Sequence, residues 1–180
     1  MDRPMPNLMF NGMSVVFKVR DLLQPPRKVL EEVGIKPGLR VLDYGCGPGG
    51  YVADAAERVG ESGTVYALDI HPLAIQRVQD VARKRQLTNV ETICSDCETD
   101  LPDNCLDIVL LYDIFHMLSD LQAILAELHR VLKPDGVLSF NDPHMQEDKI
   151  IAGVTSNHLF RLVNKGERTY SFSKQHELSR

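Results

Sequence analysis

The chain has 180 residues, of which 43% are hydrophobic and 25% are charged, and its formal net charge is −5 at pH 7. This length and composition suit one globular domain, and the acidic balance argues against a nucleic-acid partner. No apolar run approaches the roughly 18 residues that a membrane-spanning helix requires, so we expect no membrane partner.

Two helical segments are predicted before the first strand. Apolar side chains recur at helical spacing on one face of the first segment, at Val15, Val16, Val19, Leu22 and Leu23. Pro25 and Pro26 break the chain, and a second helix is predicted over residues 27–33, which Gly34 closes. We predict a single domain, with residues 1–25 as a helical arm or lid and residues 26–180 as the core.

Strand-like and helix-like patterns then alternate, which is typical of a parallel α/β sheet. The predicted strands cover residues 39–44, 64–69, 89–94, 106–112 and 137–141. Helices are predicted over residues 51–59, from about Pro72, from Ser119 with a capping-box Gln122, and over residues 146–154. Two last strands, 158–163 and 168–172, flank a short turn and predict an antiparallel hairpin.

A glycine-rich loop follows the first predicted strand and precedes a helix. Gly45, Gly47 and Gly50 satisfy the dinucleotide pattern G-x-G-x-x-G, whereas Gly45, Gly47 and Gly49 satisfy the tighter G-x-G-x-G. Glycines let the backbone turn tightly and approach a ligand closely, because no Cβ intrudes. The loop by itself leaves open a nicotinamide-dependent oxidoreductase and an enzyme that binds another nucleoside.

Three acidic residues follow or end the first three predicted strands. Asp69 ends the second strand, where either class of enzyme places a carboxylate on ribose hydroxyls. Asp43 lies two residues before Gly45, where an acid can organise the ammonium group of a ligand, and Asp96 can accept a hydrogen bond from an adenine amino group. Asp43 and the terminal hairpin disfavour a doubly wound dehydrogenase.

Five segments together resemble the class I S-adenosylmethionine-dependent methyltransferases, in particular the branch of ubiquinone/menaquinone methyltransferases. The resemblance covers residues 26–174. Cys105-Leu106 replaces the usual small-aromatic pair, and Asp135 replaces the first glycine of a turn, where aspartate is also a good turn residue. The segments are 41–49 (VLDYGCGPG), 65–70 (VYALDI), 95–97 (SDC), 101–109 (LPDNCLDIV) and 130–136 (RVLKPDG).

The resemblance implies a Rossmann-like seven-stranded sheet of order 3-2-1-4-5-7-6 with strand seven antiparallel. It also implies S-adenosyl-L-methionine as the cofactor and a small-molecule methyl acceptor. The residues expected to bind the cofactor are Asp43, Gly45, Gly47, Gly49, Asp69, Ile70, Asp96, Cys97 and Asp113.

Two histidines are candidates for the catalytic side of the site. His116 follows the fourth strand and His144 follows the fifth, and imidazole can accept a proton near neutral pH. The alternative is that each histidine only bonds a loop carbonyl. Apolar residues of the N-terminal segment suggest a cover for a small or apolar acceptor, or else the interface of a homodimer: Met5, Leu8, Met9, Phe10, Met13 and Phe17.

The four cysteines do not resemble a secreted disulfide framework, and residues 1–11 lack the apolar core of a signal peptide. We therefore expect a cytoplasmic protein. Cys94 and Cys97 form a lone pair, so we predict no metal site. Besides the oxidoreductase, one further alternative is a protein that binds the cofactor without catalysis.

Overall fold

The computed structural model describes residues 4–23 and 25–175, and a seven-stranded sheet forms its centre. The strands are β1 (Arg40–Tyr44), β2 (Thr64–Asp69), β3 (Val90–Cys94), β4 (Leu106–Tyr112), β5 (Leu132–Asn141), β6 (Phe160–Lys165) and β7 (Tyr170–Lys174). Their order is β3-β2-β1-β4-β5-β7-β6, with β1 to β5 parallel and β7 antiparallel to both neighbours. This order confirms the predicted Rossmann-like sheet.

Six helices and one short 3₁₀ helix, Phe115–Met117, surround the sheet in the part of the chain that the structure describes. The helices are α1 (Asn7–Leu23), α2 (Pro26–Val33), α3 (Val52–Val59), α4 (Pro72–Lys84), α5 (Leu121–Val131) and α6 (Glu147–Thr155). Proline occupies the first position of α2 and of α4, where its fixed φ suits a helix start and no amide is lost.

The core has two layers, one on each face of the sheet. Alternate residues of β4 point to opposite faces, so Val109 and Leu111 join one layer while Ile108 and Leu110 join the other. The first layer packs beneath α5 and α6, and the second beneath α2, α3 and α4. Because β4 is covered on both faces, its sequence is almost wholly apolar.

The predicted boundaries of α5, β5 and the hairpin were wrong, and the hairpin strands begin two residues later than predicted, at Phe160 and Tyr170. Asp120 rather than Ser119 caps α5, since the Asp120 carboxylate accepts from the Ala123 amide at 3.0 Å. Strand β5 begins at Leu132, directly after α5, and pairs there with Leu106. The register then shifts before Val137, so residues 133–136 form an irregularity within the strand instead of a turn before it.

The apolar face that the sequence indicates on α1 points to solvent. Val15 and Val16 are 61% and 64% exposed, whereas Phe10 and Ser14 on the opposite face are buried. Tertiary contacts of α1 therefore use a different stripe from the one with the most apolar residues. None of the helices within residues 4–23 and 25–175 has both the length and the apolar composition for crossing a bilayer.

Candidate cofactor site

The glycine loop between β1 and α3 lies across the carboxyl edge of the sheet. Four of its backbone amides donate hydrogen bonds within the protein, to the Leu68 carbonyl, the Asp69 carboxylate and the Cys46 carbonyl. The donors are Gly45, Cys46, Gly47 and Gly49, each 2.8 to 2.9 Å from its acceptor. A pyrophosphate group needs such amides free, so these four are not available to the pyrophosphate of a dinucleotide.

Two loop positions require glycine for different reasons. Gly45 has a φ of +76°, and a Cβ there would lie 2.8 Å from the Ile114 side chain. Gly47 has a φ of +50°, and its Cβ would meet only Phe17 of α1, at 3.9 Å. The backbone at Gly47 therefore borders open space beneath α1, which a ligand can approach closely.

Asp69, at the end of β2, holds the loop and the start of α4 at once. Its carboxylate accepts from the Gly47 amide at 2.8 Å and from the His71 amide at 2.7 Å. Burial raises the pKa of Asp69, and the two amides act against that rise. Each oxygen keeps a second lone pair, so the carboxylate can also accept from the hydroxyls of a ligand.

Asp43, on β1, is a buried acid with one carboxylate oxygen that the described residues leave without a hydrogen bond. Its Oδ2 has no hydrogen-bond partner in the described part of the chain, and the side chain is almost fully buried. Burial, together with the charges of Asp69 and Asp113, raises its pKa to about 7. An unpaired acid in such a place favours a cationic ligand, which would restore its charged form.

The loop and these acids line one cavity, with an empty volume of about 1120 Å³ counted with its open mouth. Helix α1 covers part of it, with Phe10, Met13, Phe17 and Arg20 in the wall. Seven of the residues predicted to bind the cofactor line this cavity: Asp43, Gly45, Gly47, Asp69, Ile70, Asp96 and Asp113.

Gly49 and Cys97, also predicted to bind the cofactor, do not line the cavity. A Cβ on Gly49, which has a φ of +84°, would lie 3.0 Å from the Val78 side chain, so this glycine lets α4 approach the loop. The Cys97 amide donates to Ser95 Oγ at 3.3 Å, and its side chain packs against the core. These two residues support the site from outside the wall.

His116 and His144 lie together on the loops after β4 and β5, with ring centroids 5.0 Å apart. Neither lines the cofactor cavity. The buried Asp142 carboxylate is 2.7 Å from His116 Nδ1 and also accepts from the His144 amide at 3.1 Å. The side chain of His116 is 34% exposed, which leaves its other nitrogen within reach of solvent or of a ligand.

Sequence reasoning missed two residues that attach α1 to the site. Arg20 forms an ion pair with Asp113, just after β4. His71 accepts from the Leu73 amide on Nδ1, and its Nε2 lies 2.9 Å from the Met5 carbonyl. The position of His71 two residues after Asp69 could have indicated its role, whereas nothing local in the sequence links Arg20 to Asp113.

The wall of this cavity fits S-adenosylmethionine. Asp43 offers an unpaired buried carboxylate for an ammonium group, and Asp69 offers acceptors for ribose hydroxyls. Ile70 offers an apolar surface in the same cavity, and Asp96 offers an acceptor. Within residues 4–23 and 25–175, no group of three His, Cys, Asp or Glu side chains could hold a metal ion.

Comparisons with known proteins agree with this geometry. The family model described as a methyltransferase domain matches residues 35–176. A solved SAM-dependent methyltransferase from Aquifex aeolicus is 29% identical, has a TM-score of 0.78, and is matched over 91% of this chain and 98% of its own.

Two curated relatives match over less of their own length. The demethylmenaquinone methyltransferase of Geobacillus sp. (strain WCH70) is 30% identical, over 71% of this chain and 55% of the relative. The nocamycin O-methyltransferase of Saccharothrix syringae is 34% identical, over 65% of this chain and 42% of the relative. The chain thus spans about half the length of these relatives. The family match and the solved structure confirm the predicted fold, and the chain belongs to the methyltransferase-domain family.

Proposed function

We propose that this chain transfers a methyl group from S-adenosylmethionine to a small-molecule acceptor. The observation that carries the proposal is the buried Oδ2 of Asp43, which lacks a partner within the described residues and lies in the cavity beside the glycine loop. A cofactor with an amino-acid portion supplies the missing cation. The family match and the structural neighbours support the same class.

The residues of the wall divide the binding of the cofactor among them. Asp43 pairs with its ammonium group, the backbone at Gly45 and Gly47 borders its methionine portion, and Asp69 accepts from its ribose hydroxyls. Ile70 packs on the adenine, and Asp96 accepts from the adenine amino group. When bound, S-adenosylmethionine supplies a methyl group that its positively charged sulfur already activates for displacement. The chain therefore has to align an acceptor and exclude water.

Helix α1 acts in this proposal as the lid of the site, and residues 26–175 as its core. Phe17 and Met13 bring apolar surface over the cavity, and the ion pair of Arg20 with Asp113 holds the last turns of the lid in place. Together with Met117, which also lines the cavity, they provide apolar surface that suits a small acceptor with apolar groups.

A proton must leave some acceptors during methyl transfer, and His116 is the proposed group that takes it. What supports this role is the bond between His116 and the buried Asp142, because a carboxylate on Nδ1 orients the ring and leaves Nε2 as the proton acceptor. His144, whose ring is 5.0 Å away, is the proposed second member of this pair.

Titration calorimetry tests the proposal directly. Purified protein is titrated with S-adenosylhomocysteine, the demethylated cofactor, and separately with NAD⁺ as the control. We expect binding of the first with 1:1 stoichiometry and no heat with the second. Binding of NAD⁺ alone would overturn the proposal in favour of an oxidoreductase, which the occupied loop amides disfavour.

A protein that only binds the cofactor would pass that test, so turnover is measured as well. The chain is incubated with S-adenosylmethionine and fractionated small-molecule extracts, and S-adenosylhomocysteine is quantified. We expect its formation with at least one fraction, and none with the Asp43→Asn variant. Tight binding without product in any fraction would favour the binding-only alternative.

The homodimer and the cytoplasmic location are further parts of the proposal. Six apolar side chains of α1 face solvent, and a second copy of the chain could cover them: Leu8, Met9, Val15, Val16, Val19 and Leu22. Light scattering after size exclusion should give a molar mass of twice the chain mass. The Val16→Lys variant should give the mass of one chain. The location rests on the four unpaired thiols and is tested by cell fractionation.

A further inference from the structure

A second cavity lies beside the cofactor cavity. Arg20, Tyr51 and Asp113 line both, so these residues form the partition between them. The second cavity has an empty volume of about 920 Å³ counted with its open mouth. Its other walls come from the end of β5, from α2 and α6, and from the turn between β6 and β7. A molecule held there would be adjacent to the bound cofactor.

The turn between β6 and β7 is held in place by two neighbouring elements. Glu32 of α2 accepts from the amides of Arg168 and Thr169, both at 3.1 Å, and from Thr169 Oγ1 at 2.9 Å. Asn141 at the end of β5 donates to the Arg168 carbonyl at 2.8 Å. A Cβ on Gly166 would lie 2.2 Å from Glu32 Oε2, so the turn packs directly on that carboxylate. This wall of the cavity is therefore preformed.

Most of the charged groups around the second cavity already have a partner. Arg20 is paired with Asp113, and Lys165 with Glu147. The Asp142 carboxylate takes the hydrogen bonds of the two histidine loops. The charges of Arg20 and Lys165 are thus matched by carboxylates, whereas Asp142 keeps its negative charge and is held by hydrogen bonds.

Arg168 is the exception. It is half-buried, and its guanidinium makes no hydrogen bond or ion pair with another residue of 4–23 or 25–175. Glu167, beside it, is exposed, where water screens its charge. A guanidinium that is partly removed from water gains most from a carboxylate, which it can bind through two parallel hydrogen bonds.

The wall of the second cavity also carries aromatic and aliphatic side chains. Tyr51 and Tyr170 contribute aromatic surface, and Val29, Met145 and Ile150 contribute aliphatic surface. Aromatic rings pack well against tyrosine faces and edges, and they lose little conformational freedom on binding. The cavity thus combines two aromatic side chains with one cation that has no ion-pair partner among the described residues.

We propose that the second cavity is the acceptor site and that it takes a small aromatic carboxylate, whose anionic group pairs with Arg168. This inference rests on the proposed function, because it makes the bound molecule the partner of the cofactor. Recognition of the carboxylate would place the ring between Tyr51 and Tyr170 and direct its other end toward the partition at Arg20.

The test uses benzoate and its neutral analogue benzamide on protein saturated with S-adenosylhomocysteine. Saturation-transfer NMR titrations give a dissociation constant for each probe. We expect benzoate to bind about 10- to 100-fold more tightly than benzamide, as a charge-assisted bidentate contact implies. The Arg168→Gln variant should lose that preference, with the affinity for benzamide unchanged.

Arg161→Gln is the matched control, since Arg161 is an exposed cation of the same hairpin that does not line the cavity. It should keep the preference for benzoate. Equal affinities for the two probes in the unaltered protein, an unchanged preference in Arg168→Gln, or displacement of S-adenosylhomocysteine by benzoate would each overturn the inference. The calorimetric titration of every variant with S-adenosylhomocysteine separates such a failure from failure of the proposed function.

Discussion

The carboxylate of Asp69 accepts the backbone amide of Gly47 at 2.8 Å, so one acidic side chain fixes the glycine loop against the end of β2. The same carboxylate accepts the His71 amide at 2.7 Å, and His71 caps α4. The residue expected to hold the ribose thus also shapes the surface on which the cofactor lies. Binding and local folding are coupled at this position.

Asp69→Ala should abolish measurable binding of S-adenosylhomocysteine in calorimetry, since the loop loses its anchor and the ligand loses an acceptor. We also expect a loss of stability of about 1–3 kcal/mol, because two buried amides lose their partner. Asp69→Asn keeps one acceptor oxygen and should lose less stability. The control is Asp80→Ala on exposed α4 surface, and unchanged affinity in Asp69→Ala would refute the assignment.

Asp43 should make the ligand-free protein less stable as pH rises. The pKa of Asp43 in the folded protein is about 7, above the ordinary value of 3.8. The stability that this difference contributes is therefore fully present below about pH 4 and is lost as the pH rises to about 7. The slope is on the order of 1 kcal/mol per pH unit for one such group. Urea unfolding at pH 5, 6, 7 and 8 measures it, and Asp43→Asn should flatten it.

The same group should link cofactor binding to proton release. The ammonium group of the ligand favours ionised Asp43, so affinity for S-adenosylhomocysteine should rise as pH increases toward 7 and level off above it. Calorimetry at pH 6 in two buffers with different ionisation enthalpies counts the proton released. An equal proton count in Asp43→Asn would show that another group is responsible.

Gly45→Ala and Gly12→Ala should change stability in opposite directions. A Cβ on Gly45 would lie 2.8 Å from Ile114, and alanine disfavours the φ of +76° at this position. We therefore expect the free energy of unfolding to fall by more than about 1 kcal/mol and cofactor binding to weaken. A Cβ added to Gly12 in α1 would meet no described residue within 4 Å, so alanine should stabilise that helix by about 0.5–1 kcal/mol. Thermal melts of both variants provide the comparison.

Arg20→Gln should accelerate release of the cofactor. Arg20 is the ion-pair partner of Asp113 and fixes the end of α1 over the cavity. We expect the dissociation rate of S-adenosylhomocysteine, measured by stopped-flow fluorescence, to rise about tenfold, as loss of roughly 1.4 kcal/mol would produce. Arg27→Gln removes an exposed pair on α2 and should leave the rate unchanged. Equal rates in both variants would show that α1 is not the lid.

His116→Asn should lower turnover of an identified acceptor by about 100-fold or more if His116 accepts a proton. Binding of S-adenosylhomocysteine should stay as in the unaltered protein, because His116 does not line the cofactor cavity. Asp142→Asn should lower turnover less, since the ring stays in place but loses its orienting carboxylate. Full activity of His116→Asn would remove His116 from the mechanism.

The sequence by itself determined the sheet and predicted which of its edges carries the candidate cofactor residues. Strand and helix periodicities are local, and β2 and β4 were predicted with the bounds that the structure shows. Parallel strands bring their carboxyl ends to one edge, so the positions of Asp43, Asp69 and Asp96 followed from the strand assignments alone. The glycine spacing alone fits two nucleotide-binding patterns. The resemblance and the hydrogen bonds of the loop amides distinguish between them.

Only the tertiary structure decided what covers that edge and which residues reach the wall. The pair of Arg20 with Asp113 joins residues 93 positions apart, and Gly49 and Cys97 do not line the cavity. Which face of α1 is buried likewise depends on the surface of the core against which the helix packs. The number of apolar residues on each face therefore did not predict the buried face. Long-range contacts of this kind are set by the geometry of the assembled sheet, which local sequence patterns do not encode.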